Sequence, residues 1–264
     1  MRTSLVAGNW KMNMTVAEAT ALVESLVADI QAKNTVDVLV CPPYLALPKV
    51  RELLKNTPIK VGAQDVFWEE SGAYTGQISP KMLSDLCVDY CLVGHSETRG
   101  RFGKLEVPSS TLGYFAETDE TVNLKIKALL FHGVTPILCV GETLAERDSG
   151  RTESVIAEQL EGALQDIDSA EFYGLVVAYE PVWAIGTGKT CDTEEANRIC
   201  KFIRSKLSEM SDDATSQAVR ILYGGSVKAS NAADLFSQSD IDGGLVGGAS
   251  LEADGFTRIV LSAK

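Results

Sequence analysis

Apolar residues fall in short blocks along the chain, and between the blocks they recur at helical spacing. The blocks lie at about 4–8, 37–41, 59–63, 90–94, 135–140, 174–179, 219–223 and 243–247. They are rich in Val, Ile and Leu and lack strict alternation, as strands buried on both faces of a parallel sheet do. Helical periodicity predicts amphipathic helices carrying Ala19, Leu22, Val23, Leu26, Val27 and Ile30, then Val122, Ile126, Leu129 and Leu130, then Ala196, Ile199, Cys200, Ile203 and Leu207. Ser79-Pro80 predicts an N-cap followed by proline at the first helical position, and Asp192 with Glu195 predicts a capping box. Eight strand-and-helix units in 264 residues predict an α/β chain folded as one closed (β/α)8 barrel spanning residues 1–264.

Segment 100–113, GRFGKLEVPSSTLG, has no clear period. A long loop inside a compact domain is usually functional.

Composition narrows the partners. A formal net charge of −12 argues against nucleic acid and against an anionic membrane surface. It leaves room for a small anionic substrate, because a local positive site overrides the net charge. No apolar run is long enough for a bilayer span, and Met1–Asn13 does not read as a signal peptide. Cys41, Cys87, Cys91, Cys139, Cys191 and Cys200 are scattered without a C-x-x-C pair, as expected of reduced thiols in a cytoplasmic protein. With only His95 and His132, a multi-histidine metal site is not expected.

In a barrel of this kind the chemistry sits where strands end. Asn9 and Lys11 follow the first strand, His95 and Glu97 the fourth, and Glu180 the sixth. Gly224-Gly225-Ser226 and Gly247-Gly248 follow the seventh and eighth. Glycine-rich backbone there suits an anion such as phosphate. Desolvation at the strand end is expected to raise the pKa of Glu180 and make it a base. Ser96 and Glu97 are expected to open a short helix that keeps His95 neutral. His132, before Gly133, reads as a helix-capping residue. Pro181-Val182-Trp183-Ala184-Ile185-Gly186-Thr187-Gly188-Lys189-Thr190 reads as a mobile lid. Its Gly-Lys-Thr end is not a nucleotide P-loop, because Trp183 stands where that motif needs glycine.

Asn9-Trp10-Lys11, GHSET around His95, AYEPVWAIGTGKT around Glu180, YGGSV around Ser226 and LVGGASL around Gly247 closely resemble the triosephosphate isomerase family, in order and over nearly the whole chain. The resemblance implies a cofactor-independent aldose–ketose isomerase of glycolysis and gluconeogenesis, needing no metal. It implies Glu180 as base, His95 as neutral electrophile, Lys11 as the cation and Asn9 as the donor beside it, with Glu97 positioning Lys11. Gly186, Ser226, Gly247 and Gly248 match the phosphate-holding positions, and Tyr223 and Ser226 match the residues that latch a closed lid. A homodimer is implied too. Residues 66–79 resemble the third strand-to-helix loop, which in the family inserts into the neighbouring subunit with Thr75 as the contact.

Two departures stand out. Thr98 occupies a position where the family usually has arginine, which removes an ion-pair partner from a downstream acid. Segment 100–113 reads largely as an insertion beside the inferred dimer contact: either it packs over the partner's third loop and enlarges the interface, or it is a tolerated surface excursion, since added loop length costs little free energy. Two rival functions remain open from sequence: a phosphate-binding barrel using Lys11 for Schiff-base chemistry, and a barrel repurposed as a binding or scaffold protein.

Overall fold

The computed structural model describes residues 2–30, 35–104 and 107–263; Leu105 and Glu106 of the expected insertion lie outside the described residues. Eight strands close into a parallel barrel in chain order. They are β1 (Leu5–Asn9), β2 (Asp37–Cys41), β3 (Ile59–Ala63), β4 (Tyr90–Val93), β5 (Thr135–Val140), β6 (Val176–Tyr179), β7 (Arg220–Tyr223) and β8 (Gly243–Val246). β1 closes the ring on β8 with Leu5 beside Gly243 and Gly8 beside Val246. Around it run α1 (Val16–Ile30), α2 (Leu47–Leu54), α3 (Pro80–Asp85), α4 (Asp119–Phe131), α5 (Leu144–Asp148), α6 (Thr152–Ala163), α7 (Thr193–Met210), α8 (Asp213–Ala218), α9 (Ala232–Phe236) and α10 (Ala253–Ser262).

The weak alternation in the sequence has a direct cause. Leu5, Ala7, Leu39, Tyr90, Leu92, Ile137, Val176, Ala178, Leu222 and Leu245 form one cluster inside the barrel. Their strand neighbours Val6, Val38, Val40, Leu138, Val177, Ile221 and Val246 join the larger cluster under the helices. Both faces are buried, so both carry apolar side chains.

Local signals act largely as expected. The Ser79 hydroxyl caps α3 by accepting from the Met82 N–H, with Pro80 first in the helix. His132 closes α4, and Gly133 follows at φ 70°. The capping box at Asp192 is half formed. Asp192 accepts from the Glu195 N–H at 2.7 Å, but the Glu195 carboxylate turns to Arg198 and Arg147 instead. Two guanidinium groups outcompete one backbone N–H for that carboxylate.

No helix among the described residues is long and apolar enough to cross a membrane. Five cysteines are buried, Cys87 is exposed, and all six are free thiols. Burial pushes the Cys191 thiol up to about 12.

Candidate active site

The strand ends bring Asn9, Lys11, His95, Glu97 and Glu180 to the rim of one cavity of about 810 Å³. Its far wall carries Gly186, Ser226, Gly247 and Gly248. Residues separated by most of the chain meet because parallel strands all end on the same face.

Asn9, buried at the end of β1, accepts from the Lys11 N–H through Oδ1 at 3.0 Å. Lys11 sits at φ 52°, a left-handed backbone that costs a non-glycine residue energy. Gln64 helps to hold it there, donating to Lys11 O at 2.8 Å and Cys41 O at 2.9 Å. This conformation carries the ammonium over the mouth to Glu97, 2.5 Å from Oε1.

After β4 the chain makes a turn, not the helix expected from the sequence. Thr98 and Arg99 N–H groups donate to His95 O, and Arg101 N–H donates to Ser96 O. Glycine at 100 and the loop beyond it end the turn before a helix can propagate. The turn still aims the Glu97 N–H at His95 Nδ1, 3.1 Å away. With Nδ1 accepting, the ring proton of neutral His95 sits on Nε2, 2.8 Å from Glu180 Oε1. Burial disfavours the imidazolium, yet the Glu180 carboxylate draws the His95 pKa above its ordinary value. The Glu97 N–H works against that, because it needs the lone pair a second ring proton would remove.

Glu180 corrects a sequence expectation. Burial does push its pKa up, but His95, the Ser96 N–H and Lys11 overcome it and the net shift is downward. Its Oε2 accepts from Ser96 N at 2.9 Å and its Oε1 lies 3.4 Å from the Ser96 hydroxyl. The carboxylate rests on these donors, held ionised. Pro181–Ala184 are buried, whereas Gly186 and Gly188–Thr190 are exposed. Tyr223, matched to the lid latch, is buried, and burial raises its pKa. A Cβ at Gly225 would lie 2.2 Å from the Tyr223 hydroxyl, so only glycine fits that loop.

Sequence reasoning gave no role to Gln64 or Glu142 and saw Ser96 only as part of a helix start, not as a donor to Glu180. Glu142 is fully buried beneath the lid base, accepting from Trp183 Nε1 at 2.8 Å and Tyr179 OH at 3.2 Å. Burial raises its pKa despite those bonds. It follows the apolar strand β5 as Glu180 follows β6, so the strand-end signal that found Glu180 could have found it.

Thr98 answers for the missing arginine. Its hydroxyl donates to Glu117 Oε2 at 2.5 Å, and Glu117 also pairs with Lys125. The downstream acid therefore keeps partners. Thr75 lies on a loop whose residues 69–77 are all exposed, while Phe67 stacks on Trp68 at its base. Within the insertion, Arg101, Phe102, Gly103 and Lys104 line the chain's own cavity. Arg101 turns them inward, donating to Gly141 O at 3.1 Å and to Glu146.

A sequence model described as triosephosphate isomerase matches residues 4–263. Curated proteins named triosephosphate isomerase are similar over 98% of this chain. The protein of Clostridium tetani is 48% identical over 260 residues, 96% of its own length. That of Herpetosiphon aurantiacus is 49% identical, and that of Thermoanaerobacter pseudethanolicus 46%, each over 99% of its length.

Proposed function

Because the chain belongs to the triosephosphate isomerase family, the enzymes that interconvert dihydroxyacetone phosphate and D-glyceraldehyde 3-phosphate, we propose that Glu180, His95, Lys11 and Asn9 carry that reaction here. The observation that carries the assignment is the 2.8 Å pair of Glu180 and His95 at the cavity wall, with Lys11 beside it. The scaffold reading is set aside, since the three groups it would have lost are present and meet. The Schiff-base reading gains no support, because Lys11 is engaged with Glu97 as an ion pair.

Substrate enters with its carbonyl toward His95 and Lys11 and its phosphate toward the glycine loops. Glu180 leaves Ser96 and takes the proton from the carbon beside the carbonyl. His95 Nε2–H supports the oxyanion and passes protons between the two enediolate oxygens. Glu180 returns its proton to the neighbouring carbon, giving the isomer. Lys11 offsets phosphate and enediolate charge, and Glu97 positions it. Backbone N–H groups at Gly186, Ser226, Gly247 and Gly248 hold phosphate, and Tyr223 with Ser226 latches the closed lid. This closure, of the kind for which the family is the standard example, keeps the intermediate from expelling phosphate. No cofactor takes part.

The homodimer belongs to the same proposal. The protruding loop with Thr75 supports it, as do the exposed apolar side chains of Met12 and Leu45. In the outer part of the insertion Ser109, Ser110, Thr111 and Gly113 are exposed, which suits an addition to that interface. Sedimentation tests both. Thr75→Arg and deletion of 100–113 should each weaken the dimer, and unchanged association would remove these contacts from it. A cytoplasmic location is proposed with it, supported by the free thiols.

The catalytic assignment is tested by turnover of glyceraldehyde 3-phosphate, beside Glu180→Ala. Equal rates in the two proteins would overturn Glu180 as the base.

A further inference from the structure

The insertion meets the lid at one tight point. A Cβ at Gly103 would lie 2.3 Å from Ile185 O, 2.4 Å from Val182 O and 3.1 Å from Thr187 Cγ2. No side chain fits there without moving the lid or the insertion. Ile185 is also where the buried lid base gives way to the exposed tip. The segment beneath is anchored. Arg101 reaches across to Gly141 O and Glu146, and Phe102 stands edge-on to Phe115 with ring centres 5.4 Å apart. Gly141 is itself rigid, bonded through its N–H and its carbonyl to the Gln159 side chain. So the contact is made by a fixed piece of backbone on one side and a lid on the other.

The side of the lid matters. In the closed barrel, β4 and β5 flank β6 on one side, and β7 and β8 lie on the other. Gly103 comes from the loop after β4, whereas the glycine loops proposed to hold phosphate follow β7 and β8. A lid closing on phosphate therefore moves away from Gly103. We propose that Gly103, fixed by Arg101, is a positioning residue: a rest against which the open lid lies, so that the insertion sets the balance between open and closed lid. The inference rests on the lid and phosphate sites proposed above. A ligand that needs the closed lid must leave this contact, and its affinity reports the cost.

The probe is 2-phosphoglycolate, which joins a phosphate to a planar carboxylate as the enediolate does. Gly103→Ala crowds the rest and Arg101→Ala frees its anchor, so both remove support from the open lid. Each should bind 2-phosphoglycolate about threefold or more tighter. KM and kcat should fall together, because a lid that opens less readily slows product release. Arg101→Lys, able to reach Glu146, should return toward the parent. Arg258→Ala, exposed on α10 away from the mouth, should match the parent. If Gly103→Ala does not fold, Arg101→Ala decides alone. Unchanged affinity in a folded variant overturns the rest. So does weakened affinity, which would make 101–104 part of the closed wall. If the parent itself fails to bind 2-phosphoglycolate, the lid and phosphate assignments fail first.

Discussion

The two ends of the barrel both gather charge, and they use it oppositely. At the end where the strands begin, Asp242 accepts from Arg2 at 2.6 Å, Arg204 at 2.7 Å and the Ile221 N–H at 2.9 Å. Arg204 is only 4% exposed and also donates to the Ser216 and Val219 carbonyls. Arg220 ties Asp37 to the Tyr90 hydroxyl. These partners are largely backbone or buried side chains that have nowhere else to go. At the mouth, Lys11, Glu97, His95 and Glu180 satisfy one another across a cavity. Each bond there can be exchanged for a bond to an incoming ligand. A buried charge with fixed partners is structure, while a charge with replaceable partners beside open space is available for chemistry.

The contrast breaks if function and stability do not separate between the ends. The largest expected effect is at the mouth. Glu180→Ala should lower kcat by about 10²–10⁴, with little change in melting temperature. Next comes Arg204→Ala at the opposite end, which leaves Asp242, and Asp240 whose Oδ1 lies 3.0 Å from Arg204 Nε, short of a partner. It should cost about 3–5 kcal/mol in denaturant unfolding, with kcat/KM of the folded enzyme unchanged. A large kinetic defect there would show that the ends are coupled. Lys11→Met should raise KM by about 10–100-fold, the worth of about 1.5–3 kcal/mol for a charged hydrogen bond. Steady-state kinetics in triose phosphate read it directly.

The smallest effect sharpens the comparison, because Glu142 is a mouth-side residue built like a floor residue. Its raised pKa means that the folded state holds a proton which the unfolded state releases above the ordinary value of 4.5. Stability therefore falls as pH climbs from 4.5 toward the folded-state pKa. Glu142→Gln should remove that fall. On going from pH 4.5 to pH 7 the variant's melting temperature should shift upward relative to the parent's by about 2 °C or more. An identical difference in both proteins would mean that Glu142 does not titrate in that window.

Much of this was legible before any coordinates. The eight apolar blocks fall on the eight strands within one or two residues, because a strand buried on both faces must be apolar throughout. Asn9, Lys11, His95, Glu97 and Glu180 could be singled out because a polar residue closing an apolar strand is rare enough to carry meaning. The helix expected after His95 was not formed, since the start signal there is real but the chain beyond it cannot propagate a helix.

The sequence by itself determined the fold class, the family and the side chains at the mouth, because periodicity and strand-end chemistry are local properties of the chain. Only the tertiary structure decided the charge state of those side chains and the place of the insertion. Glu180 looked like a carboxylate raised by burial. It is lowered instead, because folding brings it to His95 and Ser96, 84 residues away in the case of Ser96. Segment 101–104 had no neighbour within its own chain that could be read from sequence, yet it lines the chain's own cavity, with Gly103 against Val182 and Ile185. Arg101 finds Gly141 and Glu146 only once β4 and β5 stand side by side. A pKa and a contact are both sums over neighbours in space, and those neighbours exist only after the barrel has closed.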